Sequence, residues 1–192
     1  RVMRDQAFRA RLCTVNNTAA LPLSPLCTVC PANGLCDGTT TIRTQAKGAE
    51  RAGCKAVLLT VGGPPVGARR SARIDWTGVD ALRGAVSVPV LVKGVMTALD
   101  ATTAVTHGAQ GLVVSDYGRP TAPGQLAPLD VLPAIVDAVG AAVPVLLDGG
   151  VGRGTDVMKA LALGARAVLV ARPVMWGLAA YGADGVQSVL EL

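Results

Sequence analysis

Aromatic side chains are scarce in this chain: two Trp, two Tyr and one Phe in 192 residues. Few rings are available for bases to stack on, and the basic residues are scattered apart from Arg69 and Arg70. Nucleic-acid binding is therefore not expected. Histidine occurs once, as His107. Cys27, Cys30 and Cys36 form a CxxCxxxxxC run without a fourth zinc ligand near them in sequence, so no metal is expected. The five cysteines are an odd set and read as reduced thiols, with Cys54 in the core, which fits a cytoplasmic protein. No apolar run reaches the ~18–20 residues that span a bilayer. The opening charges Arg1, Arg4 and Asp5 do not read as a signal peptide, so no membrane partner is expected.

Charge is also sparse. Charged residues make up 16% of the chain and hydrophobic ones 51%, which excludes global disorder and predicts a large aliphatic core. The net charge of +5 suits a small anionic ligand. The length fits one domain.

A repeat fills the second half. Residues 88–115, VPVLVKGVMTALDATTAVTHGAQGLVVS, parallel residues 143–172, VPVLLDGGVGRGTDVMKALALGARAVLVAR. Each copy opens Val-Pro-Val-Leu and turns through glycine. Each then starts a helix near an aspartate (Asp100, Asp156) and ends it at a glycine (Gly108, Gly164) with the same spacing. The apolar runs are continuous, the mark of a parallel sheet buried on both faces. Strands are expected near 21–26, 55–61, 89–94, 111–116, 144–149 and 167–173. Helices are expected near 43–53, 76–84, 98–107, 128–139, 155–163 and 184–191.

Alternating strands and helices imply an α/β fold, either doubly wound or a (β/α)8 TIM barrel. Polar residues close five strands: Thr60, Lys93, Ser115, Asp148 and Arg172. A barrel gathers all of these at one mouth, whereas an open sheet gathers only those beside its switch point. The barrel is the expected architecture, though incomplete: six βα units are readable where the fold has eight.

The stretch LLDGGVGRGTD (146–156) is a strand, a glycine-rich turn and a helix start. Its backbone N–H groups and helix N-terminus suit a phosphate, with Arg153 in the turn and Arg172 closing the next strand. The alternative is that Gly149 and Gly150 only end a strand and Arg172 is a solvated charge. Lys93, at the end of PVLVKG, is either a site residue or an edge residue that snorkels.

Together these residues resemble the FMN-dependent α-hydroxyacid oxidases and dehydrogenases, the group that holds glycolate, lactate and 4-hydroxymandelate oxidases. The likeness is dense from Ile74 to Leu192. IDWTGVDALRGAVSVPVLVKGV resembles the segment leading to that family's flavin lysine, and DGGVGRGTDVMKALALGARAVLVARPVMWGL its phosphate-binding end. ERAGCKAVLLTVGGPPVGARR, RVMRD and ALPLSPL resemble earlier parts. The resemblance implies one FMN-binding barrel domain over residues 1–192, with family segments missing near 34–43 and 70–74. It implies FMN as cofactor, a small 2-hydroxy acid as substrate, and a homo-oligomer. Thr60, Lys93 and Ser115 would contact the flavin. Asp148, Gly149, Gly150, Arg153 and Arg172 would hold the phosphate side.

The catalytic set implied by the resemblance is Tyr117, Asp148 and Arg119. The family reads Ser-Asn-His-Gly-Gly-Arg where this chain reads Ser115-Asp116-Tyr117-Gly118-Arg119-Pro120. Tyr117 thus stands where the family has its proton-accepting histidine. Arg119 lies one position before the family's carboxylate-binding arginine. A phenol ordinarily titrates near 10, so at neutral pH it is a poor base. Either Tyr117 or Asp116 takes over proton transfer, or the chain binds without this chemistry. A barrel for another phosphorylated ligand is a third reading. His107, at a helix end away from the barrel mouth, reads as structural.

Overall fold

The computed structural model describes residues 12–16, 38–61, 76–118 and 126–192. The described elements alternate along the chain: β1 (Leu12–Asn16), α1 (Gly38–Arg51), β2 (Ala56–Thr60), α2 (Thr77–Arg83), β3 (Val90–Val95), α3 (Ala98–Thr106), β4 (Leu112–Val114), α4 (Pro128–Val139), β5 (Val145–Asp148), α5 (Gly154–Ala162), β6 (Ala167–Leu169) and α6 (Arg172–Leu190). They fall into two compact units. One comprises Arg1–Lys93 with Thr103–Gly111, the other Gly94–Thr102 with Leu112–Leu192.

In the first unit β2 pairs in parallel with β1 and with β3. Val57, Leu58 and Leu59, three consecutive residues of β2, are at most 1% exposed, so both faces of this strand are covered. Each such side chain contributes about 2 kcal/mol by leaving water. β3 differs from the continuous burial expected of it. Val90 and Val92 are buried while Leu91 and Lys93 are half-buried, so one face is less covered. On α1, Ile42 and Ala46 lie one turn apart and are both buried. At the end of α1, Glu50 accepts hydrogen bonds from the Ser87 N–H at 2.8 Å and from the Ser87 hydroxyl. His107 Nδ1 lies 2.8 Å from Asp80 Oδ2, and its ring stacks on Trp76 with centroids 6.2 Å apart. This bears out a structural place for the single histidine.

In the second unit β5 pairs in parallel with β4 and β6. Leu112, Val113 and Val114 of β4 are fully buried, as are Leu132 and Ile135 of α4. Gly164 has φ +99°, and a Cβ there would come within 2.8 Å of Val136 Cγ1, so both backbone and packing demand glycine. α6 is two helical stretches joined at Tyr181 and Gly182, where Gly182 has φ +63°. Across this bend Gly177 and Gly185 meet backbone to backbone, with no room for a side chain on either.

The two halves of the repeat cap their helices alike. Asp100 exchanges hydrogen bonds with Thr97, accepting from its hydroxyl at 2.8 Å and donating its N–H at 3.0 Å. Asp156 accepts the N–H groups of Gly152 and Arg153, each at 3.1 Å. Gly108 and Gly164 close the helices with positive φ.

The strands expected near 55–61, 89–94, 111–116, 144–149 and 167–173 correspond to β2 to β6. The strand expected at 21–26 lies outside the described residues. β1 was not expected, because LCTVN contains no run of aliphatic residues. The first stretch of α6 was also unforeseen, although Pro173 in its first turn is a helix-start signal. Cys54 is buried as expected, but its sulfur is held in a disulfide rather than as a free thiol.

The Ser87 hydroxyl, and then its N–H, hold the Glu50 carboxyl below its ordinary value of 4.5. The ionised form is therefore favoured by folding, and its contribution is present above that ordinary value and lost as pH falls through the lowered one. The urea midpoint is expected to drop on acidification from about pH 5 to about pH 3, and to drop less in Glu50→Gln. Denaturation monitored by circular dichroism across that range checks this.

Candidate active site

Parallel strands deliver their last residues to one edge of a sheet, so the polar residues that close these strands are the place to look. In the first unit Thr60 and Lys93 are direct neighbours across the β2–β3 ladder, and both are half-buried. The N–H of Val61 donates to the Lys93 carbonyl at 2.8 Å, which extends the ladder past Thr60. Thr60, the last residue of β2, and Lys93, within β3, are thus adjacent across the ladder.

In the second unit the centre is a buried pair. Ser115, fully buried, donates its hydroxyl to Asp148 Oδ2 at 2.6 Å, and Asp148 is only 8% exposed. The same Ser115 oxygen accepts the Tyr117 N–H at 3.1 Å. Its hydrogen is therefore directed at Asp148. Tyr117 has φ +65°, the one non-glycine positive φ among the described residues. A bulky residue rarely adopts that conformation, which costs of order 1 kcal/mol or more and persists where neighbours enforce it. Gly118 follows with φ +64°.

Asp116 folds over this turn. Its Oδ1 accepts the Gly118 N–H at 2.7 Å and lies 3.2 Å from where a Cβ on Gly149 would stand. Gly149 and Gly150 have φ of +103° and +74°, and a Cβ on Gly150 would meet nothing within 4 Å. Arg172, the first residue of α6, lays its guanidinium on Gly118: Nη2 is 2.8 Å from the position of a Cβ there. No carboxylate among the described residues lies within ion-pair distance of Arg172 or of the exposed Arg153.

The glycine-rich turn is arranged differently from the phosphate cradle read in the sequence. The N–H groups of Gly152 and Arg153 already point at Asp156. Those two bonds, Gly152's first, hold the Asp156 carboxyl below its ordinary value. A fixed negative charge therefore occupies the start of α5. Arg119 lies outside the described residues, as do Cys27, Cys30 and Cys36. Sequence reasoning left Gly118 out of the site and named Asp116 only as an alternative proton acceptor to Tyr117. The Asp-x-Gly spacing, a signature of a side chain folding onto backbone two residues on, was the available signal.

Residues 65–192 match the model of the FMN-dependent dehydrogenases. The chain belongs to that family. It is 52% identical over 119 residues to human 2-hydroxyacid oxidase 1, an alignment that covers 62% of this chain and 32% of the relative. It is 49% identical over 125 residues to 4-hydroxymandelate oxidase of Amycolatopsis orientalis, covering 65% and 35%. A peroxisomal (S)-2-hydroxyacid oxidase of Arabidopsis thaliana is 40% identical over 185 residues, covering 76% and 51%. The crystal structure of mandelate oxidase with (S)-2-phenylpropionate superposes with a TM-score of 0.72 at 40% identity, over 82% of this chain and 52% of that one. The chain thus spans about a third to a half of the length of these relatives. The fold class is that of the (β/α)8 barrel, carried only in part, with six parallel-sheet strands among the described residues. Among the described residues no helix is long and apolar enough to cross a membrane.

Each unit of this FMN-dependent dehydrogenase homologue holds, by itself, donors that suit a part of its family's cofactor. Thr60 and Lys93 offer donors for an electron-rich ring. The open backbone at Gly150 and the unneutralised Arg153 and Arg172 offer room and positive charge for a phosphate.

Ser115→Ala would remove the donor to a buried carboxylate and the acceptor for the Tyr117 N–H. A loss of about 1–3 kcal/mol is expected, measured as the shift in urea midpoint at constant slope.

Proposed function

We propose that this chain is part of an FMN-dependent oxidoreductase that converts a small 2-hydroxy acid to the 2-oxo acid. The observation that carries this reading is the pair Thr60 and Lys93, half-buried neighbours across the β2–β3 ladder, in a chain whose relatives are named as 2-hydroxyacid and 4-hydroxymandelate oxidases. Lys93 would sit beside the flavin ring and stabilise the negative charge it gains on reduction. Thr60 would donate a hydrogen bond to the ring. Gly149, Gly150, Arg153 and Arg172 would serve the phosphate side. Bound FMN supplies a two-electron acceptor.

The chain's own residues do the rest. Asp148 and Ser115 hold the turn after β4, and with it the Tyr117 backbone. Tyr117 and Arg119 are the residues we assign to the substrate. One barrel domain in a homo-oligomer, the arrangement implied by the family resemblance, is the assembly we propose.

The test is spectroscopic. The purified protein is loaded with FMN, and its visible spectrum is followed under anaerobic addition of mandelate, lactate and glycolate. Bleaching by one of them is the expected result, about a hundredfold slower in Lys93→Met. A protein that never retains FMN, or whose bound flavin is reduced by none of these acids, would overturn the reading.

A further inference from the structure

A helix on a protein surface turns its apolar residues inward and its charged ones to water. The first stretch of α6, from Arg172 to the bend at Tyr181, does the reverse. No charged residue occurs from Pro173 to Ala183. The one buried residue of this stretch is Gly177, held backbone to backbone against Gly185 of the second stretch. Met175, Trp176, Leu178 and Tyr181 are 60, 66, 49 and 79% exposed.

These side chains form one face. At about 100° per residue, Leu178, Met175, Ala179, Trp176 and Ala180 spread over roughly 200° of the helix surface, opposite Gly177. Arg172, at the N-terminal end, turns its guanidinium onto Gly118. A large ring such as tryptophan or tyrosine presents roughly 150–250 Å² when fully exposed. With Met175, Leu178 and the alanines, the face leaves about 600 Å² of apolar surface in water, as much as the largest patch on an ordinary monomer. Two such faces together reach about 1,200 Å², the lower bound for a stable, specific protein interface.

Charge decides what covers it. Helices that rest on a bilayer carry several lysines or arginines beside their apolar face. α6 has Arg172 alone, with Asp184 and Glu191 further along, and an anionic leaflet repels both. A face without charge meets its own copy about a two-fold axis with no like charges opposed. Two rings and a methionine around a charge-free centre are also the composition of an interface core.

We propose that this face of α6, centred on Trp176, is where two copies of the chain associate. The proposal rests on the homo-oligomer put forward above, to which it assigns a contact surface, and is independent of which acid is oxidised. Each copy contributes the same residues, so a single substitution removes its side chain from both sides of the contact.

The experiment is sedimentation of the purified, FMN-loaded protein over about a hundredfold range of concentration. The expected result is twice the chain mass, or a multiple of that, dissociating on dilution. Trp176→Ser is expected to weaken association by about thirtyfold or more, and Met175→Gln by about tenfold. Leu99→Gln, on an equally exposed leucine of α3 in the same unit, is expected to leave it unchanged. Circular dichroism confirms that each variant folds, and Met175→Gln carries the test should Trp176→Ser not fold. A single-chain mass at every concentration overturns the proposal. So does a single-chain mass that sediments with phosphatidylglycerol vesicles, which gives the face to a membrane. An oligomer that both α6 variants leave intact overturns the surface while the homo-oligomer stands. If association depends on Trp176 but no 2-hydroxy acid bleaches the flavin, the surface stands and the oxidoreductase reading fails.

Discussion

A hydroxyl hydrogen shared between two strand ends organises the second unit. Ser115 and Asp148 close β4 and β5, and the 2.6 Å bond between them lies out of water. A buried carboxylate is costly unless it is hydrogen-bonded, so this pair fixes the spacing of the two strand ends. It also shapes the turn beyond β4. The oxygen that donates to Asp148 accepts from the Tyr117 N–H, which holds a bulky residue in a left-handed turn. That turn brings Gly118 under the Asp116 carboxylate and opens the face on which Arg172 lies.

The helices that precede and follow these strand ends are tuned by a second rule. Aspartates at the third helical position of α3 and α5 satisfy N–H or hydroxyl groups at the helix start, and a left-handed glycine ends each. At α5 this device has a chemical side effect. The carboxylate that caps the helix stands where an anion would otherwise be drawn by the helix dipole. Positive charge for a phosphate must then come from arginine side chains rather than from that helix end.

How much of this was legible depended on the range of the interaction. Continuous runs such as AVLLT and GLVV reveal buried strands because burial on both faces is written residue by residue. β1 is hidden because Cys13, Thr14 and Asn16 interrupt its aliphatic residues, and its place is set by pairing with β2. The commitment of Ser115 to Asp148 could not be read, since it joins positions 33 residues apart. The Asp116–Gly118 bond is local and could have been anticipated from spacing alone. The alternating burial of β3 and the disulfide at Cys54 depend on what packs against each segment, which no local pattern encodes.

The stacked pair Trp76 and His107 has a use outside structure. The chain has two tryptophans, and the described units hold one each: Trp76, half-buried against the imidazole, and Trp176, 66% exposed. Their emission should differ in colour, with the exposed indole redder and the stacked one bluer and dimmer. The molecule therefore carries one native optical label in each unit. Whether the units melt in concert or in succession is encoded in its own fluorescence, with no dye attached.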